Sequence, residues 1–176
     1  MSRLTPDVSE ADHRSGPDDA PVTLVEYGDF ECPACGAAYP VVEEVRRKMG
    51  ERLRFVFRHF PLTQIHPHAM HAAEAAEAAG AQGEFWPMHA TLFENQDALA
   101  DADLLGYAKA NHLDVKRFSS ELVSEVHVDR IREHIRSGIR SGVNGTPTFF
   151  INGNRYDGSG EQADLLAAVQ AAAAAA

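Results

Sequence analysis

Cysteine is scarce in this chain, with two in 176 residues. Two are too few for a disulfide framework, so a hydrophobic core has to hold the fold. Basic side chains are also in deficit. The 16 Lys and Arg stand against 26 Asp and Glu, a formal net charge of −10. That balance excludes an extended nucleic-acid footprint and argues against docking on anionic lipid, since both need a basic surface. No apolar run approaches the length of a membrane span, and no internal repeat is present. The opening MSRLTPDVSEADHRSGPDDAP has no apolar segment of the kind a secretory leader carries. The expected location is therefore the cytoplasm, or an extracytoplasmic compartment where a leader has been removed. In the cytoplasm structural disulfides are rare, and a close cysteine pair points to catalysis or metal binding.

What is present suits one soluble globular domain, with hydrophobic content of 44% and charged content of 24%. Residues 1–20 are polar and aperiodic and read as a flexible lead. The expected domain runs from 21 to 176. VTLVEYG, from Val22 to Gly28, is β-branched and apolar and predicts a buried strand. AAYPVVEEVRRKMG is amphipathic at helical spacing, with Pro40 inside it and Gly50 at its end. LRFVFRHF, from Leu53 to Phe60, predicts a second strand, parallel to the first through a right-handed crossover. The middle, about 63–141, reads as a helical insertion. Its segments are 67–79, GEFWPMHATLFENQ, DADLLGYAKANHL and one long helix from Val115 to about Ser141. TPTFFI and NRYDG, joined at Asn152-Gly153, predict a hairpin. EQADLLAAVQAAAAAA predicts a closing helix. The fold class is α/β with a central mixed sheet.

The chemistry concentrates at FECPACGAAYP, residues 30–40. With Cys32 at a helix N-cap, Pro33 takes the first helical position, where its missing N–H costs nothing. Ala34 and Cys35 follow. The Cys32 sulfur then faces the first-turn amides and the positive end of the helix, which favour thiolate over a free thiol of pKa about 8.5. Cys32 is thus the expected attacking and exposed sulfur, and Cys35, one turn inside, the resolving one. Glu26 lies mid-strand, where an unpaired carboxyl is costly. It is a proton acceptor for Cys35, a role compatible with pairing to Arg58 on the neighbouring strand, or a strand-end carboxyl that simply reaches solvent or pairs with Arg58. Thr146-Pro147 enters a strand, and a proline there can be cis.

These pieces resemble the thioredoxin-fold family and, within it, the DsbA-like branch. The resemblance rests on VEYGDFECPACG and GVNGTPTFFINGN, with GEFWPMHATLFENQ similar in wording to the branch's helical insertion. It runs from about Ala20 to the end. It implies a thioredoxin-like fold with a helical insertion and a redox-active disulfide Cys32–Cys35. It also implies a cis Pro147 facing that disulfide, and Thr146 offering backbone hydrogen bonds to an extended substrate. Phe30, Pro33 and Ala34 complete the expected substrate contacts, Phe30 as an exposed aromatic beside the site. The implied activity is thiol-disulfide exchange on protein or peptide thiols, with an electron donor or acceptor and without an organic cofactor or metal. Ala34 departs from the branch's strong oxidants, which carry histidine there. Asp29 and Glu31 add negative charge beside the sulfur, and both departures lower the oxidising power.

Two other readings fit the same residues. His59, His66, His68 and His71 with the cysteines supply ligand types for a Cys₂His₂ metal site, although the usual paired spacing is missing. A non-catalytic binding module on the same fold is the other.

Overall fold

A computed structural model describes residues 2–176. The elements in chain order are β1 (His13–Ser15), β2 (Val22–Gly28), α1 (Pro33–Met49), β3 (Leu53–His59), α2 (Ala69–Gly80) and α3 (Phe85–Glu94). Then come α4 (Asp101–Ala110), α5 (Val115–Val123), α6 (Val128–Arg140), β4 (Thr148–Ile151), β5 (Asn154–Tyr156) and α7 (Gln162–Ala174). They divide into two compact units. The first comprises the chain up to Gly28, Ala37–Arg58 and Arg136–Ala176; the second comprises Asp29–Gly36 and His59–Ile135.

The first unit is built on a five-stranded sheet of order β1-β3-β2-β4-β5. The pairs β1–β3, β2–β4 and β4–β5 are antiparallel. The sheet is mixed, which leaves β2 and β3, joined through α1, as its parallel pair. Leu24, Val25, Glu26 and Tyr27 are all buried, so β2 is covered on both faces, as an unbroken apolar run requires. α7 packs on β2 and β4 and buries Leu165, Val169 and Ala173. α1 buries Val42, Val45 and Met49, while its Arg46 stacks over Phe55 of β3 at 5.1 Å and bonds Ser15 at 2.7 Å. Asn152 and Gly153 have φ of 47° and 80°, the left-handed pair that a two-residue hairpin turn demands.

Residues 2–20 are not the flexible lead that their composition predicts. β1 pairs with β3, Leu4 is buried, and its N–H donates to the Gly153 carbonyl at 2.8 Å. The reason is Arg58, a buried cation on β3. Its Nε and Nη2 donate to the Asp12 carboxylate at 2.8 and 3.0 Å. Nη1 reaches the Pro6 carbonyl and the Tyr27 hydroxyl, both at 3.0 Å, and Nη2 also reaches the Asp7 carbonyl at 3.3 Å. A buried guanidinium needs acceptors, and the lead supplies three of them. Burial alone would make Arg58 easier to deprotonate. The Asp12 bond and the facing Tyr27 outweigh it and hold the guanidinium above its ordinary value.

The second unit surrounds α2, which packs on α3, α4 and α5. Seven of its alanines are buried, and so are Glu74 and Glu77. Glu77 bonds His59 Nε2 at 2.8 Å and faces Arg130 Nε at 3.1 Å. The long helix predicted from Val115 to about Ser141 is two helices. Glu125 takes φ of 52° between them, a conformation that no glycine or proline announces.

Glu74 carries a pH dependence. Burial pushes its carboxyl up; His71 opposes that, Glu125 adds to it, His127 opposes it and Asp101 adds to it, with a net rise above the ordinary 4.5. A carboxyl raised on folding binds its proton more tightly in the folded state. Its stabilising contribution is complete below the unfolded value and is lost as pH rises through the folded one. Glu74→Gln is therefore expected to be more stable than the parent by about 1 kcal/mol at neutral pH, with the gap closing towards about pH 4. Urea unfolding across that range measures it.

Candidate functional site

β2 ends at Gly28 and α1 starts at Pro33, so Cys32 occupies the N-cap. Its N–H donates to the Asp29 carbonyl at 3.1 Å, and its own carbonyl accepts the first helical bond, from Gly36 N–H at 3.0 Å. Pro33 and Ala34 are exposed. Cys32 retains 6% of its surface and Cys35 none, so Cys32 is the more accessible sulfur, although less exposed than its expected role implies. No acidic residue sits in the first turn of α1, while Arg46, Arg47 and Lys48 occupy its last. The positive end of the helix is thus left uncompensated at Cys32.

Asp29 and Glu31 do not simply place negative charge beside the sulfur. The Asp29 carboxylate accepts from Glu31 N–H at 2.8 Å and Leu62 N–H at 2.9 Å, and it contacts His66 Nδ1 at 2.7 Å. Glu31 accepts from His68 N–H at 2.6 Å. Both carboxylates are spent on tying the turn to residues 62–68. Phe30 corrects an expectation. At 1% exposure it is no exposed substrate contact. Its ring lies 4.8 Å from Phe93, 5.7 Å from His89 and 5.9 Å from His59. A residue between a buried strand and a helix start turns inward wherever apolar partners wait, and those partners are distant in sequence.

Glu26, Thr146 and Pro147 belong to the sheet unit. Glu26 is buried on β2 opposite Phe149, and Tyr27 lies opposite Thr148. The Thr146–Pro147 peptide is cis and immediately precedes β4. Thr146 and Pro147 are half-buried, and the Thr148 hydroxyl donates to the Gly145 carbonyl at 2.7 Å. The alternative pairing of Glu26 with Arg58 does not fit, because every N–H of that guanidinium is directed at Asp12, Tyr27 or the lead. The four histidines of the metal reading are engaged separately. His59 meets Glu77, His66 meets Asp29, and His71 meets Asp101 at 2.7 Å, while the His68 backbone serves Glu31. Among the described residues they do not converge on the cysteines.

The turn-tying role of Asp29 and the whole of Gln96 escaped sequence reasoning. Asp29 left a signal, since an Asp bonding the N–H two residues on is a common turn former. Gln96 left none. Its side-chain amide donates to the Phe30 carbonyl at 2.9 Å and to the Cys32 carbonyl at 2.8 Å, across more than sixty residues of chain.

A family model described as thioredoxin matches residues 8–171. The chain belongs to that family. Its helices α2–α6, inserted between β3 and β4, give it the DsbA-like architecture. A thioredoxin-like oxidoreductase from Silicibacter pomeroyi superposes with a TM-score of 0.83 at 27% identity, covering 96% of this thioredoxin-family chain and 95% of the other. α-DsbA1 from Wolbachia pipientis gives 0.83 at 21% identity, covering 96% and 94%. Among curated proteins, the Na(+)/H(+) antiporter NhaA 1 of Salinispora arenicola is 50% identical over 169 residues, which are 96% of this chain and 26% of the antiporter. The chain thus spans about a quarter of the length of the curated relatives it matches. Among the described residues no helix is long and apolar enough to cross a membrane.

Proposed function

We propose that this thioredoxin-family chain exchanges disulfides with protein or peptide thiols through Cys32 and Cys35. The observation that carries the reading is the placement of the pair. Cys32 is the N-cap of α1 and the more accessible sulfur, and Cys35 lies one turn in, sealed from solvent. In the reducing direction the Cys32 thiolate attacks one sulfur of a substrate disulfide. A Cys32–substrate bond forms, and the other substrate sulfur leaves as thiolate. Cys35 then loses its proton and attacks the Cys32 sulfur. The second substrate thiolate leaves, the Cys32–Cys35 disulfide forms and the substrate is reduced by two electrons. A dithiol donor resets the pair, and the oxidising direction is the same path reversed.

Glu26, a buried carboxyl in the strand that feeds the turn, is the proposed acceptor for the Cys35 proton. Thr146 and cis Pro147 are the proposed docking edge for extended substrate backbone, with Pro33 and Ala34 as exposed turn contacts. The apolar contact first expected of Phe30 falls to Ile65. That side chain is 69% exposed, in a crease of about 280 Å³ lined by residues 61–65, a loop that Asp29 ties to the redox turn. The redox group is the cysteine pair itself, and the exchange needs no organic cofactor.

Cys35→Ser tests the reading. It keeps the attacking sulfur and removes the resolving one, so mixed disulfides with substrate should accumulate, visible as dithiothreitol-sensitive adducts on a gel. Absence of adducts from Cys35→Ser, under conditions where the parent chain turns over, would reject the pair as the reacting group. Titration of the parent chain against glutathione gives the direction. With alanine at 34 in place of histidine, the expected potential lies nearer the reducing thioredoxin value of about −270 mV than the strongly oxidising value of about −120 mV.

A further inference from the structure

We propose that Gln96 is a positioning residue of the redox turn, clamping the backbone on both sides of the nucleophile and thereby favouring the reduced form of the cysteine pair. The inference rests on the exchange reading above and adds to it a residue that sets the redox balance.

The geometry begins with one side-chain amide serving two carbonyls. Gln96 Nε2 donates to Phe30 O at 2.9 Å and to Cys32 O at 2.8 Å. The Cys32 carbonyl also accepts from Gly36 N–H at 3.0 Å, so both of its lone pairs are engaged. Gln96 is itself held. It follows the end of α3, where Asn95 bonds back to the Thr91 carbonyl at 2.8 Å, and Ala98 N–H closes a turn on the Asn95 carbonyl at 3.0 Å. The Phe93 ring in the last turn of α3 lies tilted against the Phe30 ring, with centroids 4.8 Å apart. The end of α3 therefore grips Phe30 twice, by its ring and by its carbonyl.

Position 36 supplies a second, independent observation. Gly36 is helical, and glycine is a poor helix residue. A Cβ there would overlap the side-chain Oε1, Cδ and Nε2 of Gln96. The missing side chain makes room for this carboxamide. Because the obstacle is the far end of a flexible side chain, a methyl at 36 would push Gln96 aside and leave the helix intact.

The redox consequence follows from charge. Reduction of the pair places a thiolate at Cys32, in the segment whose carbonyl oxygens, those of Phe30 and Cys32, Gln96 holds. Two N–H donors drain partial negative charge from those oxygens and hold Cys32 where the first-turn amides face its sulfur. The disulfide carries no charge and gains nothing from this. Losing Gln96 therefore disfavours the dithiol, and the pair becomes more reducing.

The test is equilibration of the whole chain with glutathione, in which the protein dithiol and one oxidised glutathione give the protein disulfide and two reduced glutathiones. Gln96→Ala and Gly36→Ala are each expected to raise that equilibrium constant about three- to tenfold, the value of one or two net hydrogen bonds. The double variant should match the larger single effect, because both changes remove the same contact. Gln96→Glu, with no donor and an added charge, should exceed Gln96→Ala. An unchanged constant in Gln96→Ala, or additive effects in the double variant, overturns the proposal. If Gln96→Ala does not fold, Gly36→Ala decides alone. A parent chain that does not equilibrate with glutathione strikes down the exchange reading, and this inference with it.

Discussion

Replacing Cys32 with serine is expected to reduce disulfide exchange to background, a loss of roughly a thousandfold or more. A serine oxygen cannot enter a disulfide, so neither half of the exchange has a partner at that position. Cys35 cannot stand in, because it has no accessible surface and a substrate sulfur cannot approach it in line. The fold should be unaffected. Serine is a preferred N-cap residue, and position 32 opens α1 ahead of Pro33. The variant should keep its thermal midpoint within about 2 °C, since the side chains are close in size and the cap is conserved. Reduction of a protein disulfide by dithiothreitol, followed with and without the variant, makes the measurement. Exchange undiminished in Cys32→Ser sinks the assignment, whichever way electrons flow.

Asp12→Ala is expected to cost about 3 kcal/mol, or on the order of 10 °C in thermal midpoint, without touching either cysteine. The side chains of Arg58 and Asp12 are 3% and 6% exposed and meet in a two-pronged contact. Removing the carboxylate leaves a guanidinium buried with only neutral acceptors, the Pro6 and Asp7 carbonyls and the Tyr27 hydroxyl. Arg58 is held above its ordinary pKa, so it stays charged at any working pH and cannot escape the penalty by losing its proton. The loss should therefore persist across the neutral and alkaline range. Replacing both partners, with Arg58→Met beside Asp12→Ala, should recover part of it, because no isolated charge remains. A double variant no better than Asp12→Ala would move the cost from charge to packing.

The features legible in the sequence are those encoded within a few residues. VTLVEYG is β2 with the predicted bounds, and LRFVFRHF overruns β3 by one residue. Cys32, Pro33 and the helix start fall where proline chemistry puts them, and Asn152-Gly153 makes its turn. The misses share one cause, a partner far away in sequence. The lead looked unstructured because its stabilising partner, Arg58, lies forty-six residues beyond Asp12. Phe30 looked exposed because the rings that bury it come from β3 and α3. Gln96 was invisible because a carboxamide in a polar loop carries no local mark of the carbonyls it serves. The break at Glu125 failed for a different reason, since a left-handed glutamate has no compositional signature.

Helix α2 has a consequence for how this protein can change over time. Most of its buried face is methyl groups, and α3 and α5 pack on it. A larger residue at Ala72, Ala75 or Ala76 has nowhere to go, and overfilling such a site costs about 1–3 kcal/mol. A smaller one removes only a methyl and costs about 1 kcal/mol of helix propensity. Drift along α2 is therefore one-sided. The helix tolerates erosion better than growth, and variation in the volume of this unit has to be taken up by the helices around it.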